Sequence, residues 1–251
     1  LNEAVFISGS ISIKSIPECV KQSIQLIKQQ NLQILVGDAD GIDFLVQKFC
    51  KSISYSNVMV YSIYDKPRFA IPEFKSCTVG FDGNIKRERE RQSFKDAQMT
   101  KDSMYSFVIW DGKSQGSYKN ILRAIELEKK IKVYLSEIDG MLPKVRVTKD
   151  EVEYIFRKNV GYSASEIVEL LHQEGIEFFK DTRAFNKKML EVNHIKKDGK
   201  VYLPGDASED HFIVKTHRGK VTGIQFTLEF VNWIEEWIKR NREPVKLDLF
   251  S

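Results

Sequence analysis

Three short segments carry the residue types that hold a sugar phosphate: Ser8-Gly9-Ser10-Ile11-Ser12, the run from Gly37 to Asp43, and the run from Trp110 to Ser117. Gly9, Gly37, Gly41, Gly112 and Gly116 let the backbone approach a ligand or take a positive φ. The hydroxyls of Ser10, Ser12, Ser114 and Ser117 can add hydrogen bonds to phosphate oxygens. Asp38, Asp40, Asp43 and Asp111 are poor partners for phosphate but good acceptors for ribose hydroxyls or a base amino group. One such loop would be ordinary turn and helix-cap chemistry. Three of them at strand ends point to a ligand.

The segments recur because of what flanks them. Short apolar runs at 4–7, 33–36, 58–61, 107–110 and 131–135 read as strands. Helical spacing is found from Ile16 to Ile27, through Ile42, Leu45, Val46 and Phe49, over Lys86 to Ser103, and from Tyr118 to Lys129. Pro17 suits a helix start. Strand–helix alternation of this kind predicts a parallel sheet with helices on both faces, a Rossmann-like α/β domain over 1–143. Ligands of such sheets bind beyond the carboxyl ends of the strands, near a switch in strand order. The stretch from Ser62 to Asn84 reads as irregular.

The first domain resembles the SLOG superfamily, the Rossmann-like group that includes the LONELY GUY phosphoribohydrolases and the DNA-processing protein A fold. The matching residues are Ile7-Ser8-Gly9-Ser10, the run 37–43, Lys95-Asp96, Met99 to Asp102 upstream of Ile109-Trp110, and Asp111 to Ser117. The resemblance implies nucleotide binding or cleavage of an N-glycosidic bond. The phosphoribohydrolases of that group carry Pro-Gly-Gly-x-Gly-Thr and, after two intervening residues, a catalytic Glu. Here Gly116-Ser117 stands for Gly-Thr, and Asn120 occupies the Glu position. Asn cannot act as a general base. Catalysis would then need Asp38, Asp40, Asp43 or Asp102, each of which also suits capping or ribose binding.

Two further groups are ambiguous. The run Lys86 to Arg91 alternates in sign like a solvated helix face, with Arg91 and Lys95 kept as possible ligand contacts. Trp110 ends a strand and suits either base stacking or the core.

After Met141-Leu142-Pro143 the pattern changes to helices followed by short strands, which places a second domain over 144–251. Ser163-Ala164-Ser165-Glu166 is a capping box. A helix over Thr182 to Leu190, a basic turn and the strand Val201 to Leu203 sketch a smaller α+β, winged-helix-like domain. Arg183, Lys187, Lys188, Lys196 and Lys197 are its candidate nucleic-acid contacts. Phe230, Trp233, Ile234 and Trp237 form a helical stripe for a core or dimer face. The domain resembles the C-terminal domain of phage antirepressors through 164–167, 185–190, 197–202 and 224–234, which implies a winged helix contacting DNA or protein.

The net charge of +4 permits nucleic acid without demanding it. Cys19, Cys50 and Cys77, like His172, His194, His211 and His217, lack metal-ligand spacing, so neither a metal nor a separate cofactor is expected. The absence of a signal region or a long apolar stretch gives a cytoplasmic protein as the expectation, as a homodimer or larger oligomer. Three functions fit: a nucleotide sensor or sponge coupled to a DNA or protein partner, an N-glycosidic hydrolase, or a recombination-mediator-like DNA-binding protein.

Overall fold

In the computed structural model, which describes residues 3–81, 83, 85–206 and 209–241, the apolar runs align into one sheet. The strands are β1 (Ala4–Gly9), β2 (Gln33–Val36), β3 (Val58–Ser62), β4 (Lys75–Thr78), β5 (Tyr105–Trp110), β6 (Lys130–Leu135) and β7 (Gly140–Met141). They order as β4-β3-β2-β1-β5-β6-β7, and every pairing is parallel except β6 with β7. The helices between them are α1 (Glu18–Gln29), α2 (Ile42–Ser52), α3 (Glu88–Asp102) and α4 (Gln115–Glu126).

The sheet is a Rossmann-like, doubly covered one. Val20 and Ile24 of α1, with Val46 and Cys50 of α2, bury one face against Val5, Ile7, Ile34, Val36 and Ile109. Met99 of α3 packs with Phe6, Leu35 and Tyr61 on the other. The chain leaves β1 towards β2 but leaves β5 towards β6, so right-handed crossovers put α1 and α4 on opposite faces. The loops after β1 and β5 therefore part at their carboxyl ends and leave a crevice there.

The stretch read as irregular contains β4, which pairs in register with β3 from Met59–Lys75 to Ser62–Thr78. Its Lys-Ser-Cys-Thr sequence is an exposed, polar edge without alternation, so no periodicity marks it.

The chain divides into two units, Leu1–Ile155 and Phe156–Ser251, within helix α5 (Lys149–Val160). The second unit contains α6 (Ala164–Gln173), α7 (Thr182–Glu191), the hairpins β8 (Ile195–Asp198)–β9 (Val201–Pro204) and β10 (Phe212–His217)–β11 (Lys220–Phe226), and α8 (Leu228–Asn241). Ser163 and Glu166 form the expected capping box on α6. Asp181 caps α7 through the Ala184 amide at 2.8 Å. Phe185, Met189, Phe212, Phe226, Phe230 and Ile234 form the core, with Trp233 and Trp237 packed on it half-buried.

His194 is buried, stacks on Trp233 at 4.1 Å between centroids, and meets His211 through Nε2 and Nδ1 at 3.1 Å. Burial, with the neighbouring His211, pushes the His194 imidazole down to about 4 from 6.5. The unfolded chain thus takes up a proton between these values while the native one does not. Stability should fall as pH drops from about 6.5 to about 4. Melting followed by tryptophan fluorescence should show this, and His194→Phe should flatten that part of the profile.

Candidate functional site

At the crevice between β1 and β5, a chamber of about 270 Å³ adjoins a second of about 280 Å³ between α3 and α4, and the two share Gln92, Asp96, Gly116 and Asn120 as walls. The inner chamber also meets Ser8, Ala39, Asp43, Arg68, Lys95 and Ser114. The outer one meets Arg89, Gln115, Lys119 and Arg123.

α3 supplies one wall through Gln92, Lys95, Asp96 and Met99, whose spacing puts them on one helix face. Lys95 is only 3% exposed, and its Nζ lies 3.2 Å from Asp96 Oδ1. Burial would depress its pKa, but Asp96, Asp43 and Asp38 outweigh this and hold it above the ordinary value, so it is a fixed buried cation. Asp43 responds oppositely. Burial, with Asp96 and Asp38 nearby, pushes its carboxyl up to about 6 against the opposing effect of Lys95. A Cβ on Gly37 would meet Asp43 Oδ2 at 2.3 Å and Lys95 Nζ at 2.7 Å, so this glycine makes room for the charged groups.

Most of the polar groups singled out in the sequence bond to one another. Asp38 is fully buried; its carboxylate accepts from Ser62 Oγ at 2.9 Å, from the Arg68 amide at 3.1 Å, and from the Arg68 guanidinium at 3.0 Å. Burial would raise its pKa, yet the Arg68 and Ser62 bonds hold it below the ordinary value. Ser12 Oγ donates to Asp111 Oδ2 at 2.6 Å, and Asp111 Oδ1 accepts from the amides of Lys113 and Ser114 at 2.9 and 2.7 Å. Ser10 Oγ accepts from the Asp111 amide at 3.1 Å and lies 3.3 Å from Ser117 Oγ, which lies 3.1 Å from Ser114 Oγ. These bonds tie the loop after β1 to the start of α4.

The remaining candidates separate by location. Asp40 is exposed and accepts from the Gly41 amide at 2.9 Å. Gly41 has φ of 99° and faces Ile11, while Gly112 has φ of 76°. A side chain on Gly9 would strike Ile109 O at 2.6 Å, whereas Gly116 opens onto empty space. Asp40 lines neither chamber, and three further candidates do not join the site. Trp110 is fully buried against Tyr118 and offers no face for stacking on a base. Arg91 bonds the Ile85 carbonyl at 2.8 Å and covers Phe81 at 4.7 Å. Asp102 ends α3, whose next turn bonds back to Ala4 at the amino end of β1, so it lies at the opposite edge of the sheet from the crevice. Asn120 is buried, donating to Asp96 Oδ2 at 3.4 Å and accepting from Arg123 at 2.6 Å.

Two groups in the inner chamber have no such partners. Ser8 Oγ and Gln92 Nε2 are buried without a hydrogen-bond partner among the described residues. The first turn of α4 also carries no side-chain cap, and Ser114, Gln115 and Gly116 at its start line the chambers, near the positive end of the helix dipole. Among the described residues, no group of three or more His, Cys, Asp or Glu is placed to hold a metal ion.

In the second unit, Lys187 and Lys188 both reach Glu191, at 3.9 and 3.6 Å, and Lys188 also lies 6.0 Å from the Trp237 ring. Lys196 pairs with Asp206 at 2.6 Å, while Lys197 covers Tyr202 at 5.7 Å. Arg183 is exposed on α7.

No family model matches the chain, and no curated protein matches it. A solved structure, the molybdenum cofactor binding protein from the phototrophic bacterium Rippkaea orientalis, is 8% identical, covers 76% of this chain and 98% of its own, and superposes with a TM-score of 0.43. Likeness at that level transfers neither a ligand nor a chemistry. No described helix is long and apolar enough to cross a membrane.

Lys95→Met should strip Asp43 and Asp96 of their nearest cation. A deficit of about 2–4 kcal/mol is expected at pH 8, in line with breaking a partly hydrated buried ion pair. Because Asp43 titrates near 6 and would move higher in the variant, the deficit should narrow as pH falls from 8 towards that value and level off below it. Urea unfolding of parent and variant across this range measures it.

Proposed function

We propose that the first unit binds a nucleotide or nucleotide-derived ligand in the crevice, as a SLOG-like domain. What carries the reading is the pairing of unsatisfied groups: Ser8 Oγ and Gln92 Nε2 inside, uncapped α4 amides outside. A buried donor without an acceptor costs about 1–3 kcal/mol, which a ligand can recover. The α4 amides, with Arg89 and Lys119 on the same chamber, suit a phosphate. Ser8 and Gln92, beside Asp43 and Lys95, suit the hydroxyls of a sugar or the polar edge of a base. The second unit is proposed to be a winged-helix-like module that carries the ligand state to DNA or a protein partner.

One observation favours a second reading, hydrolysis of an N-glycosidic bond. Asp43, pushed up to about 6, is a carboxyl in the chamber able to exchange a proton near neutral pH, where Asn120 cannot.

Melting temperature and product formation should be followed together over a panel of nucleotides and dinucleotides. A ligand at a hundred times its dissociation constant stabilises by about 2.7 kcal/mol, a shift of several degrees. Gly116→Leu fills the crevice from a position with no neighbour within 4 Å, so it should abolish the shift while leaving the unliganded melting point unchanged. An undiminished shift in that variant would place the ligand elsewhere. Product formed by the parent and lost in Asp43→Asn would establish the enzyme.

A further inference from the structure

The outer half of the β10–β11 hairpin has no role in the core of its unit. Residues 214–222 are nine consecutive exposed positions, from Val214 to Thr222, so the ribbon is bare on both faces. Two-stranded ribbons of this kind are marginal by themselves. Its composition is one-sided: Lys215, His217, Arg218 and Lys220 are basic, and the segment contains no Asp or Glu.

The register gathers these groups. His217 pairs directly with Lys220, which puts both on one face, and Lys215 lies two residues from His217 on that same face. Arg218 sits at the turn with φ of 49°. The ladder shifts between Lys215 and Thr216, where Thr222 Oγ1 donates to the Lys215 carbonyl at 3.3 Å. None of Lys215, Arg218 and Lys220 makes an ion pair among the described residues, in contrast to the lysines at 187, 188 and 196, which meet Glu191 or Asp206.

We propose that this ribbon, rather than α7, is the element of the second unit that enters a groove of duplex DNA. The inference deepens, and rests on, the partner-binding reading of that unit; it does not depend on what fills the crevice. Unpaired cations on a projecting ribbon complement a polyanion, and the B-DNA major groove, about 12 Å wide, admits a two-stranded ribbon. A single-stranded ligand would call for aromatic platforms, and the segment has none. A protein partner would call for large apolar anchors, where only Val214 and Val221 are available. Pairing of β10 with another strand is opposed by Lys215 and by the irregularity beside it.

The test compares the full chain with two variants, Lys215→Thr/Arg218→Asn/Lys220→Thr and Arg183→Ser/Lys187→Ser/Lys188→Ser, by fluorescence anisotropy on a random duplex across salt concentrations. Asn is used at 218 because it tolerates the left-handed backbone there. The parent should bind with affinity that falls steeply as salt rises. The ribbon variant should bind at least tenfold more weakly at low salt, with a log–log salt slope shallower by about 2–3. The α7 variant should stay within about twofold of the parent. All three should melt alike, since the changes are on the surface. Loss carried by the α7 variant instead would overturn the ribbon while leaving DNA binding intact. A parent without salt-dependent duplex binding would overturn both.

Discussion

Burying an ammonium costs several kcal/mol of lost hydration, and the arrangement around Lys95 is governed by that cost. Asp96 is its contact partner, Asp43 and Asp38 lie further off, and Gly37 gives up its side chain so that the groups can come together. Each constraint binds a different element. Lys95 and Asp96 belong to α3, Asp43 to α2, and Gly37 and Asp38 to the loop after β2. The register of α3 against the carboxyl edge of the sheet is thereby tied to one electrostatic balance.

The same economy separates scaffold from site. Asp38 clamps the chain after β3 through Ser62 and Arg68, while Asp111 closes the turn into α4 and holds Ser12. Those carboxylates and hydroxyls have filled their bonding capacity within the protein. The groups left with capacity include Ser8, Gln92, the first amides of α4, and a carboxyl at 43 poised near neutrality. A ligand in the crevice is recognised by what the fold has not already used.

Much of the first unit was legible in its sequence, because buried parallel strands are short apolar runs and their helices show helical spacing. The three loops could be located but not sorted. Nothing in Ser8-Gly9-Ser10 reveals that the first hydroxyl lacks a partner while the last bonds to Asp111 and Ser117. Likewise, Asp38 and Asp43 are equivalent in the sequence, and only tertiary contact gives one to Arg68 and the other to the crevice. Lys95 stands out in the sequence as a possible contact, but that Gln92, Asp96 and Met99 share its helix face is a signal masked by the charged run before it, which has the pattern of a solvated face. β4 and the outer β10–β11 ribbon are exposed on both faces, so neither shows the clear alternation that marks a half-buried strand.

The chain of serines between the loop after β1 and α4 has a direction. Ser10 is fully buried and its oxygen already accepts the Asp111 amide, so its own proton has Ser117 as the hydroxyl within reach. A buried hydroxyl proton without an acceptor is costly, which orients Ser10 towards Ser117. Ser117, itself buried, then has Ser114 Oγ at 3.1 Å within reach of its own hydrogen. The last rotor, at the N-cap of α4 on the crevice wall, is left with a hydrogen to give. Buried order at one end of the relay thus fixes Ser114 as a donor at the other, aligned in sense with the amides beside it.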